Sequence, residues 1–264
     1  MQGLGETRGF CHFSRPRPGD GHTPRVTSTW TSHDRTLQPT QTARRAYAVN
    51  AGIAWLGVVL TVVLSALGWY REAPVEAGLY GDTGDGLGGA LARVTDTFSY
   101  FTIWSNVVVA VSTTMLLRRP VRDTLVQRVL RLDALLMITV TAIVYQVLLA
   151  PTIDVEGWSL LTDPILHVVT PLVTIVVWAV WGPRGWISAR LVPLALVVPL
   201  AWIGWMMLRG AVVDAYPYGF ANVTELGYAS VALTLVMILV FGLVVAAAYW
   251  GVDVLLRRRS AQNS

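Results

Sequence analysis

Six long apolar runs occupy most of this chain of 264 residues, and each is long enough to cross the hydrocarbon layer of a membrane as a helix. Because no water satisfies backbone groups in lipid, a spanning segment must form its hydrogen bonds internally, which favours helices. The runs cover residues 47–69, 98–117, 132–150, 164–181, 191–208 and 230–250. The sequence therefore predicts an all-α polytopic membrane protein, a bundle of six transmembrane helices.

The composition excludes most soluble folds and several kinds of site. Only 14% of the residues are charged and the mean hydropathy is +0.54, whereas an ordinary soluble domain carries roughly a quarter charged residues. All 20 cationic side chains are arginines, and their positions beside the spans explain the net charge of +4 better than a nucleic-acid partner does. The single cysteine, Cys11, excludes an internal disulfide framework and a cysteine-based metal cluster.

Two polar segments flank the predicted membrane domain at 47–256. Residues 1–46 are rich in Arg, Pro, Thr, Ser and Gly, cannot bury enough apolar surface to fold, and are predicted to form a disordered cytoplasmic tail. Residues 257–264 are predicted to form a short basic cytoplasmic tail. We read the chain as three parts: a long tail, a six-helix domain and a short tail.

The arginines alternate from one loop to the next. Seventeen of the 20 fall before the first span, after the last, or in the loops that follow spans two and four. Ten of the 16 acidic residues fall in the other loops, which hold only Arg71, Arg93 and Arg209. Since cytoplasmic loops retain arginine, both termini are predicted to be cytoplasmic, in a multi-pass protein of the plasma membrane.

Polar side chains inside spans are costly, which makes them the first candidates for function. Thr102 and Asn106 lie on one face near the outer end of span two, and His167 lies at a similar depth in span four, about 4.5 to 6 Å below the span ends. Tyr145 and Gln146 lie near the outer end of span three. The pattern predicts a shallow polar site that opens to the outer leaflet.

Each of these groups also has a structural interpretation. Thr102 can bond back to the carbonyl of Phe98, and Asp163, which precedes Pro164, fits a helix N-cap. Asn106 and Gln146 can simply join helices by hydrogen bonds. His167 is harder to explain structurally, because it is the only histidine outside the tail and membrane histidines are usually functional.

The polar side chains inside the spans allow few kinds of chemistry. One histidine in the bundle does not provide two axial haem ligands or three zinc ligands, so no cofactor and no metal are predicted. A hydroxyl at the depth of an imidazole can serve as a nucleophile when the imidazole takes its proton. Asp163, one turn before His167, is placed to orient the ring.

Two motifs resemble a known family. Residues 99–106 (SYFTIWSN) and 163–171 (DPILHVVTP) resemble the androgen-induced and androgen-dependent six-helix integral membrane hydrolases, and more closely their bacterial relatives. The segments at 216–220 (YPYGF) and 181–185 (WGPRG) are similar to the bacterial branch as well. The resemblance covers approximately residues 45–256 and leaves the long tail out.

This resemblance implies an enzyme that hydrolyses lipid esters, such as fatty acid esters of hydroxy fatty acids, with Thr102 as nucleophile and His167 as its base. Asp163, Asn106, Gln146 and Tyr145 are candidate supporting residues from position alone. Membrane lipids and a lipid ester substrate are the implied partners. The competing interpretations are a non-catalytic lipid-binding or small-solute transport protein, in which His167 binds a proton or ligand, and a structural scaffold.

Overall fold

The computed structural model describes residues 39–70, 77–81, 83–120, 123–151 and 154–262. Most of the predicted disordered tail, residues 1–38, lies outside the described residues. The described part is helical, with one isolated β-bridge between Leu79 and Tyr216.

Six helices are long and apolar enough to cross a membrane, which confirms the predicted fold class. We number the helices in chain order and include the short helix α2, which is not one of the six. They are α1 (Gln41–Ala66), α2 (Gly86–Thr97), α3 (Phe101–Arg118), α4 (Leu125–Leu149), α5 (Ser159–Trp181), α6 (Leu191–Val213) and α7 (Val223–Gln262).

The helix ends differ from the apolar runs where local hydrogen bonding extends a helix beyond its apolar residues. Helix α1 begins at Gln41, before the predicted tail boundary at residue 46, because the Thr40 side chain accepts a hydrogen bond from the Ala43 N–H at 3.1 Å. Helix α7 continues to Gln262, so residues 257–262 extend a helix instead of forming a separate tail. Near its start, α7 is kinked at Gly227, whose φ is 72°.

Helix α4 lies at the centre of the bundle. Its most apolar stretch is 56% buried, against 22% for the peripheral α7. All residues from 132 to 138 except Asp133 contribute to the main hydrophobic core, together with residues from α1, α3, α5, α6 and α7. Because α4 contacts α3, α5 and α7, it fixes the relative positions of the helices that carry the polar groups.

A buried hydrogen-bonded chain joins three of the spans. The Thr174 hydroxyl of α5 donates to the Asn50 carbonyl oxygen of α1 at 3.0 Å, and the Asn50 amide contacts the Thr113 hydroxyl of α3 at 3.5 Å. All three residues are fully buried. In lipid such bonds hold helices together where apolar packing alone gives little preference.

The ends of α1 and α4 and the starts of α3 and α5 meet on one face, which we call the acid-rich face. There α2 and the segments 77–81 and 214–222 pack over the spans. Asp96, at the end of α2, pairs with Arg209 of α6 at 2.8 Å. Burial raises the pKa of Asp96, and the Arg209 guanidinium opposes that rise. The opposite, arginine-rich face holds the starts of α1, α4 and α6.

Candidate active site

Thr102 lies in the first turn of α3, at the acid-rich face. Its Oγ1 is 3.1 Å from Nε2 of His167 in α5. The Phe98 carbonyl, to which the structural interpretation bonded the Thr102 hydroxyl, instead accepts the indole N–H of Trp104 at 2.7 Å. Thr102 is partly exposed, while His167 is only 8% exposed. The structure thus brings together the two residues that the sequence singled out.

The second imidazole nitrogen fixes the tautomer of His167. Its Nδ1 is 3.1 Å from the main-chain carbonyl oxygen of Asp163. Because a carbonyl oxygen only accepts, Nδ1 must carry the hydrogen in this contact, and Nε2 of the neutral ring is then an acceptor. A ring in this state can accept the Thr102 proton at Nε2, which is what a general base for a hydroxyl requires.

Two expectations for Asp163 are wrong. It is not an N-cap, because it lies inside α5, which begins at Ser159. Its carboxylate does not orient the ring of His167; it accepts a hydrogen bond from the Tyr145 hydroxyl at 3.2 Å. The group that orients the ring is the main-chain carbonyl of Asp163. It lies one turn before His167 because both residues are in the same helix.

His167 is carried by a π-helical turn, residues Ile165–Val169, in which the Thr170 N–H bonds to the Ile165 carbonyl. This turn follows Pro164, which lies inside the helix and has no N–H to continue the α-helical pattern. Single π turns within α-helices occur often at functional sites. Here the wider turn rotates His167 relative to a regular helix.

Asn106 joins the start of α3 to α5, and Ser105 forms a hydrogen bond within α3. The Asn106 amide donates to the Thr102 carbonyl at 2.8 Å and to the Leu166 carbonyl of α5 at 3.3 Å. In a π-helical turn the N–H of residue 171 would donate to the Leu166 carbonyl, but Pro171 has no N–H. The Asn106 side-chain amide of α3 donates to that carbonyl instead. The Ser105 hydroxyl donates to the same Thr102 carbonyl at 2.8 Å.

Tyr145 contributes a ring and a hydroxyl from α4. Its ring stacks on the imidazole of His167 with centroids 3.7 Å apart and planes 13° apart. Tyr145 also begins a π turn, Tyr145–Leu149. Its neighbour Gln146 is exposed, and no hydrogen bond joins its side chain to the Thr102–His167 pair within the described residues. Tyr145 thus lies directly against the ring of His167.

Tyr218 is the site residue that the sequence reasoning missed. It lies between α6 and α7, is 7% exposed, and its hydroxyl oxygen accepts the N–H of Phe101 at 2.9 Å. The same hydroxyl interacts with the side chain and main chain of Thr102. Burial raises the pKa of Tyr218, so the phenol keeps its proton. The YPYGF segment at 216–220 contains Tyr218 and was noted in the sequence, but no spacing rule predicts which helix a loop residue contacts.

Other cavities and buried charges lie away from this pair. A groove of about 450 Å³ lies between α1 and α5 and is lined by apolar residues with Thr42 and Arg45. Arg131 and Asp133 of α4 are buried, and none of their side-chain N or O atoms has a hydrogen-bond partner within the described residues. In that same part of the chain, no group of three His, Cys, Asp or Glu side chains is arranged to hold a metal ion.

The arrangement offers a neutral imidazole with one nitrogen anchored and the other against a partly exposed hydroxyl. Such a pair can move a proton from the hydroxyl to the ring during attack on an electrophilic carbon. Comparisons of this chain with protein-family models, with curated proteins and with solved structures find no match.

Proposed function

We propose that this chain is an intramembrane hydrolase of lipid esters, with Thr102 as nucleophile and His167 as general base. The observation that carries the proposal is the 3.1 Å contact between Thr102 Oγ1 and His167 Nε2, in a ring whose Nδ1 is held by the Asp163 carbonyl. The resemblance of residues 99–106 and 163–171 to the androgen-induced and androgen-dependent membrane hydrolases supports the same assignment.

The reaction proceeds in two steps. Thr102 Oγ1 forms a bond to the ester carbonyl carbon while its proton passes to His167 Nε2, and the carbonyl electron pair moves to the oxygen. Collapse of this intermediate breaks the bond to the leaving alcohol, which takes the proton from His167 and leaves an acyl-threonine. Water then attacks the acyl group with His167 as base, which restores Thr102 and releases the acid.

Lipid esters fit the surroundings of the pair. The π turns that flank the site present apolar side chains outward: Val147 is 65% exposed and Val168 38% exposed. In a bundle surrounded by lipid, these surfaces contact acyl chains, and the pair lies in the first turn of α3 and the third turn of α5, counted from the acid-rich face. Fatty acid esters of hydroxy fatty acids, or similar esters, place a carbonyl among acyl chains at such a depth.

The test compares purified wild type with Thr102→Ala and His167→Ala in detergent, on an ester of a long-chain hydroxy fatty acid. Each single change should lower kcat by roughly a thousandfold or more, because the two groups act as a unit. Thr102→Ser should retain some turnover and Thr102→Val none. Thr114→Ala is the matched control, since Thr114 lies on the same helix and, within the described residues, bonds to Ala110 and Trp55.

Folded Thr102→Ala or His167→Ala protein with full turnover would refute the assignment. Equal tolerance of Ser and Val at position 102, together with solute flux that follows an ion gradient, would favour the transport interpretation instead. Melting curves and size-exclusion profiles of each variant establish that it is folded before its rate is compared.

We also propose that the protein resides in the plasma membrane with both termini in the cytoplasm. The proposal depends on the arginines, seventeen of which lie at the arginine-rich face or in the segments that lead to it. The acid-rich face, with Thr102 and His167, is then on the outer side, and substrate reaches the pair from the outer leaflet.

A further inference from the structure

The start of α3 brings several hydrogen-bond donors close to Thr102. Helices begin with N–H groups that have no acceptor one turn earlier. The Phe101 N–H donates to the Tyr218 hydroxyl at 2.9 Å, and the Ile103 N–H donates to the Tyr100 carbonyl at 3.1 Å. Thr102 lies between them, and its main chain and side chain both interact with the Tyr218 hydroxyl.

The Tyr218 hydroxyl has a hydrogen to give at this position. Its oxygen is engaged as the acceptor of the Phe101 N–H, so its own hydrogen points to another group. The Thr102 side chain lies beside this hydroxyl, and its Oγ1 becomes bonded to the substrate carbon during attack. The new oxyanion is on that same carbon, so a donor beside Oγ1 is within reach of the oxyanion.

The loop that carries Tyr218 is held firmly. The Tyr216 N–H donates to the Gly78 carbonyl at 2.8 Å, and the Tyr80 N–H donates to the Tyr216 carbonyl at 3.3 Å. The Tyr218 ring stacks on Phe220 with centroids 4.9 Å apart and meets Tyr100 edge-on at 5.6 Å. A donor fixed in this way needs little reorganisation when charge develops beside it.

We propose that the Tyr218 hydroxyl, beside Thr102 at the start of α3, is the oxyanion-hole donor of this site. The inference rests on the proposed hydrolase function. It narrows the substrate class to compounds with a carbonyl oxygen that becomes an anion upon attack, which are esters and other acyl compounds. The positive end of the α3 dipole points at the same oxyanion and adds to its stabilisation.

The test replaces Tyr218 by Phe and compares a p-nitrophenyl ester with its thiono analogue, in which sulfur replaces the carbonyl oxygen. We expect Tyr218→Phe to lower kcat for the ester by about 100-fold, the usual cost of one oxyanion-hole donor, with little change in KM. Sulfur is a weak acceptor and gains little from the donor, so turnover of the thiono analogue should fall much less. The oxygen-to-sulfur ratio, which is kcat for the ester divided by kcat for the thiono analogue, should therefore fall.

Tyr100→Phe is the matched control, because it removes one hydroxyl from the same aromatic cluster without removing the acceptor of the Phe101 N–H. It should leave both rates unchanged. The oxygen-to-sulfur ratio does not depend on the folded fraction, since both substrates report on the same active molecules. A merely structural role of Tyr218 would lower both rates equally and leave the ratio as it is.

The outcomes separate this inference from the proposed function. Loss of activity in Thr102→Ala and His167→Ala, with an unchanged oxygen-to-sulfur ratio in Tyr218→Phe, would overturn the oxyanion hole and leave the hydrolase in place. Full activity in Thr102→Ala would overturn both. A reduced ratio in Tyr218→Phe and an unchanged ratio in Tyr100→Phe would establish Tyr218 as the donor.

Discussion

At the scale of single residues, the anchoring of His167 departs from a triad of side chains. A carboxylate that holds an imidazole can also stabilise the positive ring that forms when the proton arrives. Here the anchor is the neutral carbonyl of Asp163, and the Asp163 carboxylate is engaged by Tyr145. The tautomer is therefore set by the backbone of α5, and no side-chain substitution at position 163 removes it directly.

This anchoring predicts a mild effect of Asp163→Asn. The variant keeps the carbonyl that bonds His167 Nδ1 and an oxygen that accepts from Tyr145, so we expect kcat to stay within about tenfold of wild type, the loss of roughly one hydrogen bond. In a Ser–His–Asp triad the corresponding change costs about 10⁴-fold. Asp154→Asn, at an exposed position of the same face, is the control, and a triad-sized loss in Asp163→Asn alone would contradict main-chain anchoring.

At the scale of elements, the close approach of α1 to α5 positions the π turn that carries His167. A β-carbon at Gly57 of α1 would lie 2.9 Å from Leu166 Cδ2 and 3.0 Å from Ile165 Cγ2. Both neighbours belong to that π turn, and Leu166 directly precedes His167. The absence of a side chain at position 57 lets the turn rest against the α1 backbone.

Gly57→Ala should therefore displace the turn and disturb the site. We expect an overpacking cost of about 1–3 kcal/mol, partly offset by the better helix propensity of Ala, and a fall in kcat that exceeds the loss of stability. Gly52→Ala is the matched control, because nothing lies within 4 Å of a β-carbon at Gly52 of the same helix. Melting temperature and turnover would be measured for both variants, and identical behaviour of the two would contradict this role for Gly57.

Some features of these helices can be predicted from the sequence and others cannot. The six spans follow from hydropathy because lipid leaves a long apolar segment no alternative to a helix. Depth counted along regular helices placed Thr102 and His167 at one level, as found. The same counting failed for Asp163, because the π turn and the helical Pro164 are not encoded in a regular periodicity. Tyr218 reaches Thr102 only through the folded loop 214–222, which depends on contacts distant in sequence.

At the scale of the whole molecule, the charge distribution predicts orientation. Cys11, the only cysteine, lies in the segment before α1. If the arginine-rich face is cytoplasmic, a membrane-impermeant maleimide should label Cys11 only after intact cells are permeabilised. In the Cys11→Ser background, Asp154→Cys lies in the loop between α4 and α5 at the acid-rich face and should be labelled in intact cells. The reverse pattern would invert the topology and place the Thr102–His167 pair at the cytoplasmic leaflet.

The π turn that carries His167 makes its position sensitive to the deletion of a single residue. A π turn holds one residue more than the α turn that it replaces, and removing one residue would rotate everything beyond it by about 100° around the helix axis. Deletion of a single codon within Ile165–Val169 would therefore turn His167 or its anchor away from Thr102, while the segment would stay apolar enough to insert. One mutational event would thus remove the Thr102–His167 contact from descendants of this gene and leave a six-span protein with nearly the same hydropathy profile.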